Sequence, residues 1–357
     1  MHKHFMLAAL EQAWLGRGIC APNPSVGAVA VCNGEIIARA WHRGAGTEHA
    51  EQLLLKQIPQ GMPNVTLYVT LEPCNHWGRT SPCVSAIIQH GISEVVYAFH
   101  DPNPVVAANN TPEILLSKGI NVIHYSLPEI DAFYQSYRYW TLNKKPWVTA
   151  KIAQSLDGKI AGLNGIRYQL SNSKCAQFTH QQRLYSDVIV TTAKTVHQDD
   201  PLLNVRLENK QQSKPLAILD ARLSLSQEAK IFTSARHCHI YHDEIYTVKN
   251  PLPDCSYHAM PVKNGLLDLT AVINHLGSLG YHDAWIEAGG TLFSALHREG
   301  LLQRTYIYVV PEVLGDGAIT AFHGNDIFSR KRTVSWQIKE DNVIACLDWQ
   351  EDVCLRD

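Results

Sequence analysis

The sequence predicts an α/β protein in two domains, each a layered sheet with helices packed on it. Three observations carry this expectation. Strand-like and helix-like segments alternate along most of the chain, the signature of α/β layering. The length of 357 residues is about twice that of a typical domain of roughly 150. A polar, proline-marked segment, Asn143-Lys144-Lys145-Pro146, breaks the pattern. The expected domains are therefore 1–145 and 146–357.

The elements follow in order. Residues 4–17 carry the apolar spacing of a helix. Two strands, 26–31 and 36–41, flank Cys32-Asn33-Gly34-Glu35, a hairpin turn signal. A helix is expected over 49–58 and a strand over 66–71, which runs into Glu72-Pro73-Cys74. Helix 82–90, strand 94–99, helix 111–117, strand 121–124 and helix 129–142 complete the first half. The second half opens with strand 147–153 and continues with strands 188–192, 216–219, 284–287 and 305–310. Its end, 334–347, reads as two strands around Glu340-Asp341-Asn342.

Composition narrows the function classes. Hydrophobic residues make up 45% and charged residues 18%, enough apolar content for a core in each half. Lys and Arg number 31 against 33 Asp and Glu, a formal charge of −2. A near-neutral chain lacks the electrostatic footprint of a nucleic-acid binder. The first residues show no apolar signal region, and no window is apolar for the roughly 18 residues of a membrane span. A cytoplasmic location is expected. The cysteines number nine. That odd number, scattered along a long chain, argues for free thiols and a metal site rather than a disulfide framework.

The sharpest chemical signal is His49-Ala50-Glu51, followed by Pro73-Cys74 and then Cys83. Zinc accepts imidazole and thiolate ligands, and a catalytic zinc keeps one of its four positions open. One His and two Cys supply three ligands. Glu51 stands close enough to move a proton without ligating the metal, a general acid–base role. Zinc deaminases acting on nucleobases carry H-x-E…P-C-x-x-C. Here the second cysteine is displaced by a loop of eight residues, Asn75 to Pro82, that carries His76, Trp77 and Arg79.

The run from Thr70 to Cys83, Thr-Leu-Glu-Pro-Cys-Asn-His-Trp-Gly-Arg-Thr-Ser-Pro-Cys, resembles the deaminase motif of the bifunctional riboflavin-biosynthesis deaminase/reductase family. So do Pro22-Asn23-Pro24-Ser25-Val26-Gly27 and Asp101-Pro102-Asn103-Pro104. The resemblance implies a cytidine-deaminase-like three-layer first domain. It implies Zn2+ on His49, Cys74 and Cys83, with Glu51 as catalytic proton shuttle. Implied substrate contacts are Asn23, His42, His76, Arg79, Asp101 and Asn103. The implied reaction is hydrolytic removal of the 2-amino group of 2,5-diamino-6-ribosylamino-4(3H)-pyrimidinone 5′-phosphate.

The second half lacks the G-x-G-x-x-G dinucleotide fingerprint. It does carry Glu287-Ala288-Gly289-Gly290-Thr291-Leu292 between a strand and a helix-like segment. Glycines there either let backbone N–H groups approach a phosphate or serve a simple packing turn. Residues 151–159, 195–206 and 287–292 resemble the same family's reductase domain, which is similar to dihydrofolate reductase in fold. The resemblance implies NADPH contacts at Ala153, Thr195, Asp199, Gly289, Gly290, Thr291, Leu292, Phe293, Ser294 and Ala295. It implies substrate contacts at Lys151, Arg183, Leu203, Arg206 and Glu287. Guanidinium groups such as Arg183 and Arg206 suit a sugar phosphate. The implied reaction is reduction of the ribosyl side chain to ribityl.

Three departures from the family pattern stand out. Arg167 replaces the usual serine and Gln169 the usual tryptophan of a Ser-x-Trp-Ile-Thr/Ser run, and Ala221 replaces a serine after Asp220. They motivate an alternative in which the second domain is an inactive or weak reductase. A homo-oligomer joined through the reductase domain is also implied, with Tyr306–Val310 and Val343–Leu347 as candidate contact strands.

Overall fold

The computed structural model describes residues 2–75, 81–104, 110–263, 265–287, 289–324 and 328–350. The chain forms two compact units, Met1–Lys144 and Lys145–Asp357.

The first unit is built on a five-stranded sheet of β1 (Gly27–Cys32), β2 (Glu35–Trp41), β3 (Val65–Leu71), β4 (Glu94–Phe99) and β5 (Asn121–His124), in the order β2-β1-β3-β4-β5. The β1–β2 and β1–β3 pairs are antiparallel; β3–β4 and β4–β5 are parallel. Asn33 and Gly34 both take positive φ, 51° and 82°, at the β1–β2 turn. That is the backbone a tight two-residue hairpin requires. Helices α1 (His2–Gly16), α2 (Ala50–Leu55), α3 (Cys83–His90), α4 (Thr111–Ser117) and α5 (Pro128–Asn143) pack on the sheet. α1 meets α5 through Trp14 and Phe133, whose rings stand edge to face at 4.8 Å. α2 neighbours α3, and α3 neighbours α4. All six residues of β1 are buried, because helices cover both sheet faces.

The second unit carries a nine-stranded sheet of β6 (Trp147–Ser155), β7 (Val188–Thr192), β8 (Pro215–Leu219), β9 (His237–Asp243), β10 (Cys255–Met260), β11 (Asp283–Glu287), β12 (Arg304–Val310), β13 (Arg332–Lys339) and β14 (Asn342–Trp349). The spatial order is β10-β9-β8-β7-β11-β6-β12-β14-β13. Pairs from β10 through β12 are parallel; β12–β14 and β14–β13 are antiparallel. Strand alternation divides the core in two. Val148, Ala150 and Ile152 enter one cluster with Val188, Val190 and Ile286. Ile189, Leu216, Ile218, Trp285, Tyr306 and Tyr308 enter the other, on the opposite face. Helices α6 (Ser173–Tyr185), α7 (Ala193–Asp199), α8 (Leu269–Ser278) and α9 (Gly290–Arg298) supply the flanking layers.

Two expectations need correction. Tyr306–Val310 and Val343–Leu347 do not face outward: β12 is paired by β6 and β14, and β14 by β12 and β13. At this end of the sheet, exposed apolar side chains are carried by the edge strand β13: Val334, Trp336 and Ile338. Strands β9 and β10 had no sequence-level expectation at all, because histidines and cysteines take buried positions in β9 and half-buried ones in β10. Among the described residues, no helix is long and apolar enough to cross a membrane.

Candidate active sites

In the first unit, backbone ends bring the metal-type residues together. His49 is the residue capping α2 at its N-terminus, and Cys83 is the first residue of α3. Cys74 lies just beyond β3. Their ligand atoms all lie within 4.8 Å of one another. His49 Nδ1 is 3.3 Å from Cys83 Sγ and 3.4 Å from Cys74 Sγ. The Cys83 backbone N–H donates to Cys74 Sγ at 3.5 Å, which favours a thiolate there. Bonding to Cys83, against the cost of burial, and then to His49 holds the Cys74 thiol down at about 4. The hydrogen bond to Cys74 holds His49 up at about 8, against burial. An imidazole nitrogen and two sulfurs at this spacing fit a zinc ion with one position left open.

Glu51 stands in the first turn of α2, buried, and burial pushes its carboxyl up to about 7. A carboxyl poised near neutrality is suited to passing protons in both directions. His42 accepts from Asn23 Nδ2 through Nε2 at 3.0 Å and donates from Nδ1 to the Glu48 carbonyl at 3.0 Å. This pattern needs the neutral ring, and burial lowers the His42 pKa accordingly. The His42 and His49 rings meet edge to face at 5.3 Å. Asp101 accepts from the Asn103 N–H at 2.9 Å and from Tyr137 Oη at 3.0 Å; burial pushes it up to about 6. The structure thus gathers Asn23 and His42 beside His49, and ties Asn103 to Asp101. His76 and Arg79 lie outside the described residues.

The second unit holds a cavity of about 1410 Å³. Lys151, Ala153, Arg183, Thr195, Asp199, Leu203, Arg206 and Glu287 line it, as do Gly289, Gly290, Thr291, Leu292 and Ala295. Its polar floor is the pair Arg183–Glu287. Arg183 Nε donates to Glu287 Oε1 at 2.6 Å and Nη2 to Oε2 at 2.9 Å. Trp285 Nε1 adds a third hydrogen bond to Oε1 at 2.7 Å. Burial pushes Glu287 upward, but the charges of Arg183 and Lys151 and these bonds outweigh it and hold the group at about 2. Lys151 is opposite Glu287 in the β6–β11 register, and burial lowers its pKa.

The glycine pair divides its duties. A side chain on Gly290 would collide with the Ala321 carbonyl, so this glycine is fixed by packing. One on Gly289 would meet nothing, so that backbone is open to a ligand. The side chains of Phe293 and Ser294 do not reach the cavity. Phe293 is in the core and Ser294 Oγ accepts from the His323 N–H at 2.9 Å. The helical turn rotates them away from Thr291, Leu292 and Ala295. Thr192, Lys194, Lys263 and Arg298 also line the cavity, and no sequence motif marks them. Their only sequence signal is position, just past strands or at helix ends.

Residues 146–344 match the RibD C-terminal domain, and residues 1–99 match the cytidine and deoxycytidylate deaminase zinc-binding region. The riboflavin biosynthesis protein RibD of Aquifex aeolicus is 32% identical over 317 residues, 88% of each chain. Acinetobacter baumannii RibD is similar in structure, with a TM-score of 0.84 at 30% identity, covering 98% of this chain and 99% of that one. The chain belongs to the RibD family. A Thermotoga maritima diaminohydroxyphosphoribosylaminopyrimidine deaminase/5-amino-6-(5-phosphoribosylamino)uracil reductase is also similar. Its TM-score is 0.85 at 26% identity, over 98% of this chain and 99% of that one.

RibD membership makes the chain a bifunctional enzyme of riboflavin biosynthesis, with a zinc deaminase domain and a reductase domain. Its cofactors are Zn2+ and NADPH. The fold is the expected pairing of a cytidine-deaminase-like domain with a dihydrofolate-reductase-like one. The RibD departures also sit at the reductase cavity: Arg167, Gln169 and Ala221 all line it. Arg167 Nε pairs with Asp199 Oδ1 at 3.6 Å, and Gln169 Nε2 donates to the Ser171 carbonyl at 3.1 Å.

Proposed function

We propose that the first unit deaminates 2,5-diamino-6-ribosylamino-4(3H)-pyrimidinone 5′-phosphate and that the second reduces the ribosyl chain of the product to ribityl. The observation that carries the first half is the convergence of His49, Cys74 and Cys83 beside buried Glu51. His49, Cys74 and Cys83 would hold the zinc, which when bound would lower the pKa of water toward neutrality and so supply the nucleophile. Glu51 takes the proton released as water adds to the ring carbon that bears the amino group. It passes that proton to a ring nitrogen, then carries the proton of the added hydroxyl to the departing amine, so that the carbon becomes a carbonyl and ammonia leaves. Neutral His42, fixed by Asn23 and the Glu48 carbonyl, and Asp101, fixed by Tyr137, orient the pyrimidine. His76, Arg79 and Asn103 complete the substrate contacts.

In the second unit, NADPH when bound would supply the hydride that reduces C1′ of the sugar. Ala153, Thr195, Asp199, Gly289, Gly290, Thr291, Leu292 and Ala295 would hold the cofactor. Lys151, Arg183, Leu203, Arg206 and Glu287 hold the phosphorylated product of the first reaction. The Arg183–Glu287 pair fixes their geometry, because two parallel hydrogen bonds remove rotational freedom from both side chains. The functional domains are 1–145 and 146–357. The substrate is a small phosphorylated pyrimidine; neither nucleic acid nor membrane takes part, and the enzyme works in the cytoplasm. A homo-oligomer forms through the reductase domain, a reading supported by exposed Trp336 and Ile338 on the edge strand β13.

The test gives purified protein the diamino-pyrimidinone ribosyl phosphate, with and without NADPH. Ammonia release and NADPH oxidation are followed in one tube. Ammonia in both tubes, with NADPH consumed in the second, is the expected result. Ammonia without NADPH oxidation favours the reading of a weak or inactive reductase, whose supporting observation is Arg167 and Gln169 on the cavity wall.

A further inference from the structure

We propose that Lys194 binds the 2′-phosphate of the dinucleotide and thereby selects NADPH over NADH. This rests on the reading of the second cavity as the reductase site, and adds the residue that sets its cofactor specificity.

The sheet fixes the direction in which the cofactor lies. β6, β11, β7 and β8 are consecutive neighbours and run parallel, so their C-terminal ends share one edge. Neighbouring strands stand roughly 4.8 Å apart, so the step from β6 to β8 is about 14 Å. The hydride is delivered beside Lys151 and Glu287, where the end of β11 lies against the middle of β6. The open backbone at Gly289, just past β11, suits the pyrophosphate. The adenosine half then lies over the ends of β7 and β8. There the cavity wall is Thr192, Thr195, Leu219 and Ala221, with Lys194 among them.

The charge inventory singles out the same residue. Arg183 is held by Glu287, Arg167 pairs with Asp199 and Lys263 with Asp268. Arg206 donates to Asn204 Oδ1, and Arg298 has Glu299 beside it. Lys151 is buried at the substrate end. Lys194 is exposed and makes no hydrogen bond or ion pair among the described residues. It also stands in the first turn of α7, a turn with no acidic residue. Helix dipoles favour anions at that end, so the lysine does nothing for its own helix. A phosphate dianion on the adenosine ribose supplies the missing counter-charge, and lysine meets it as a point charge.

The test uses the full chain and isothermal titration with two probes, 2′,5′-ADP and 5′-AMP. Lys194→Ala is expected to weaken 2′,5′-ADP about tenfold and leave 5′-AMP unchanged, while Lys194→Arg keeps both. In turnover the KM for NADPH should rise, with kcat and the KM for NADH held. A Lys194→Ala protein that binds 2′,5′-ADP like the parent overturns the proposal. So does an equal loss for both probes, which would place the lysine at the 5′-phosphate. A parent protein that binds neither probe would instead bring down the reading of the cavity as a dinucleotide site.

Discussion

Arg183 and Glu287 form a two-pronged ion pair across the reductase cavity floor, at 2.6 and 2.9 Å, with each side chain nearly buried. Both are anchored further: Arg183 Nη1 donates to the Asn204 carbonyl, and Glu287 accepts from Trp285. Removing one partner strands the other's charge. Arg183→Met should destabilise the second unit by about 3 kcal/mol. The double variant Arg183→Met/Glu287→Gln should recover most of that loss in urea unfolding, yet stay dead as a reductase. Recovery of NADPH oxidation in the double variant would show that the pair is structural only.

Glu51→Gln keeps the shape of the buried side chain and removes its proton exchange. Deamination should fall on the order of a thousandfold, with bound zinc unchanged. Loss of zinc from this variant would make Glu51 a ligand.

Cys83→Ala removes one of three ligands. Zinc measured on the purified variant should fall from one per chain to a small fraction, and deaminase activity with it. Retention of stoichiometric metal would refute the reading that the ligand set spans the long loop.

Acid should open the far edge of the reductase sheet. His239 Nδ1 meets His258 Nε2 at 3.1 Å, and the His258 and His275 rings are 4.3 Å apart. Burial, then neighbouring histidines, lowers His239 to about 3 and His258 to about 4. The folded state therefore binds fewer protons than the unfolded state, whose histidines titrate near 6.5. Stability from these rings is complete above about pH 6.5 and is lost as pH falls toward 4 and 3. A thermal midpoint for the second unit that stays flat between pH 7 and 4.5 would contradict this. His258→Gln should flatten the dependence.

Arg167→Ser should change the Michaelis constant of the reductase and leave deamination alone, because Arg167 reaches the cavity and pairs with Asp199. An unchanged constant would remove Arg167 from the site.

Local sequence determined a good deal. The strand 94–99, helix 111–117 and strand 188–192 are set by short-range alternation and helical spacing, and they form at the expected residues. The Asn33-Gly34 turn is legible because few residues other than Asn and Gly accept its backbone. His49, Glu51, Cys74 and Cys83 are legible because metal chemistry restricts residue types so sharply.

Tertiary structure decided the rest. Gly290 reads as a phosphate glycine, but its close neighbour is the Ala321 carbonyl, which no local pattern announces. Asp157 lies in a family-like run, yet its carboxylate accepts from the Leu314 and Gly315 N–H groups. Lys194 looks like any solvated lysine until the strand order β6-β11-β7-β8 sets it on the cavity wall. Residue type and short spacing encode what a side chain can do and its local backbone. Which charges remain unpaired, and which strand ends share an edge, depends on contacts between residues a hundred or more positions apart, such as Arg183 with Glu287. Only the folded sheet brings those together.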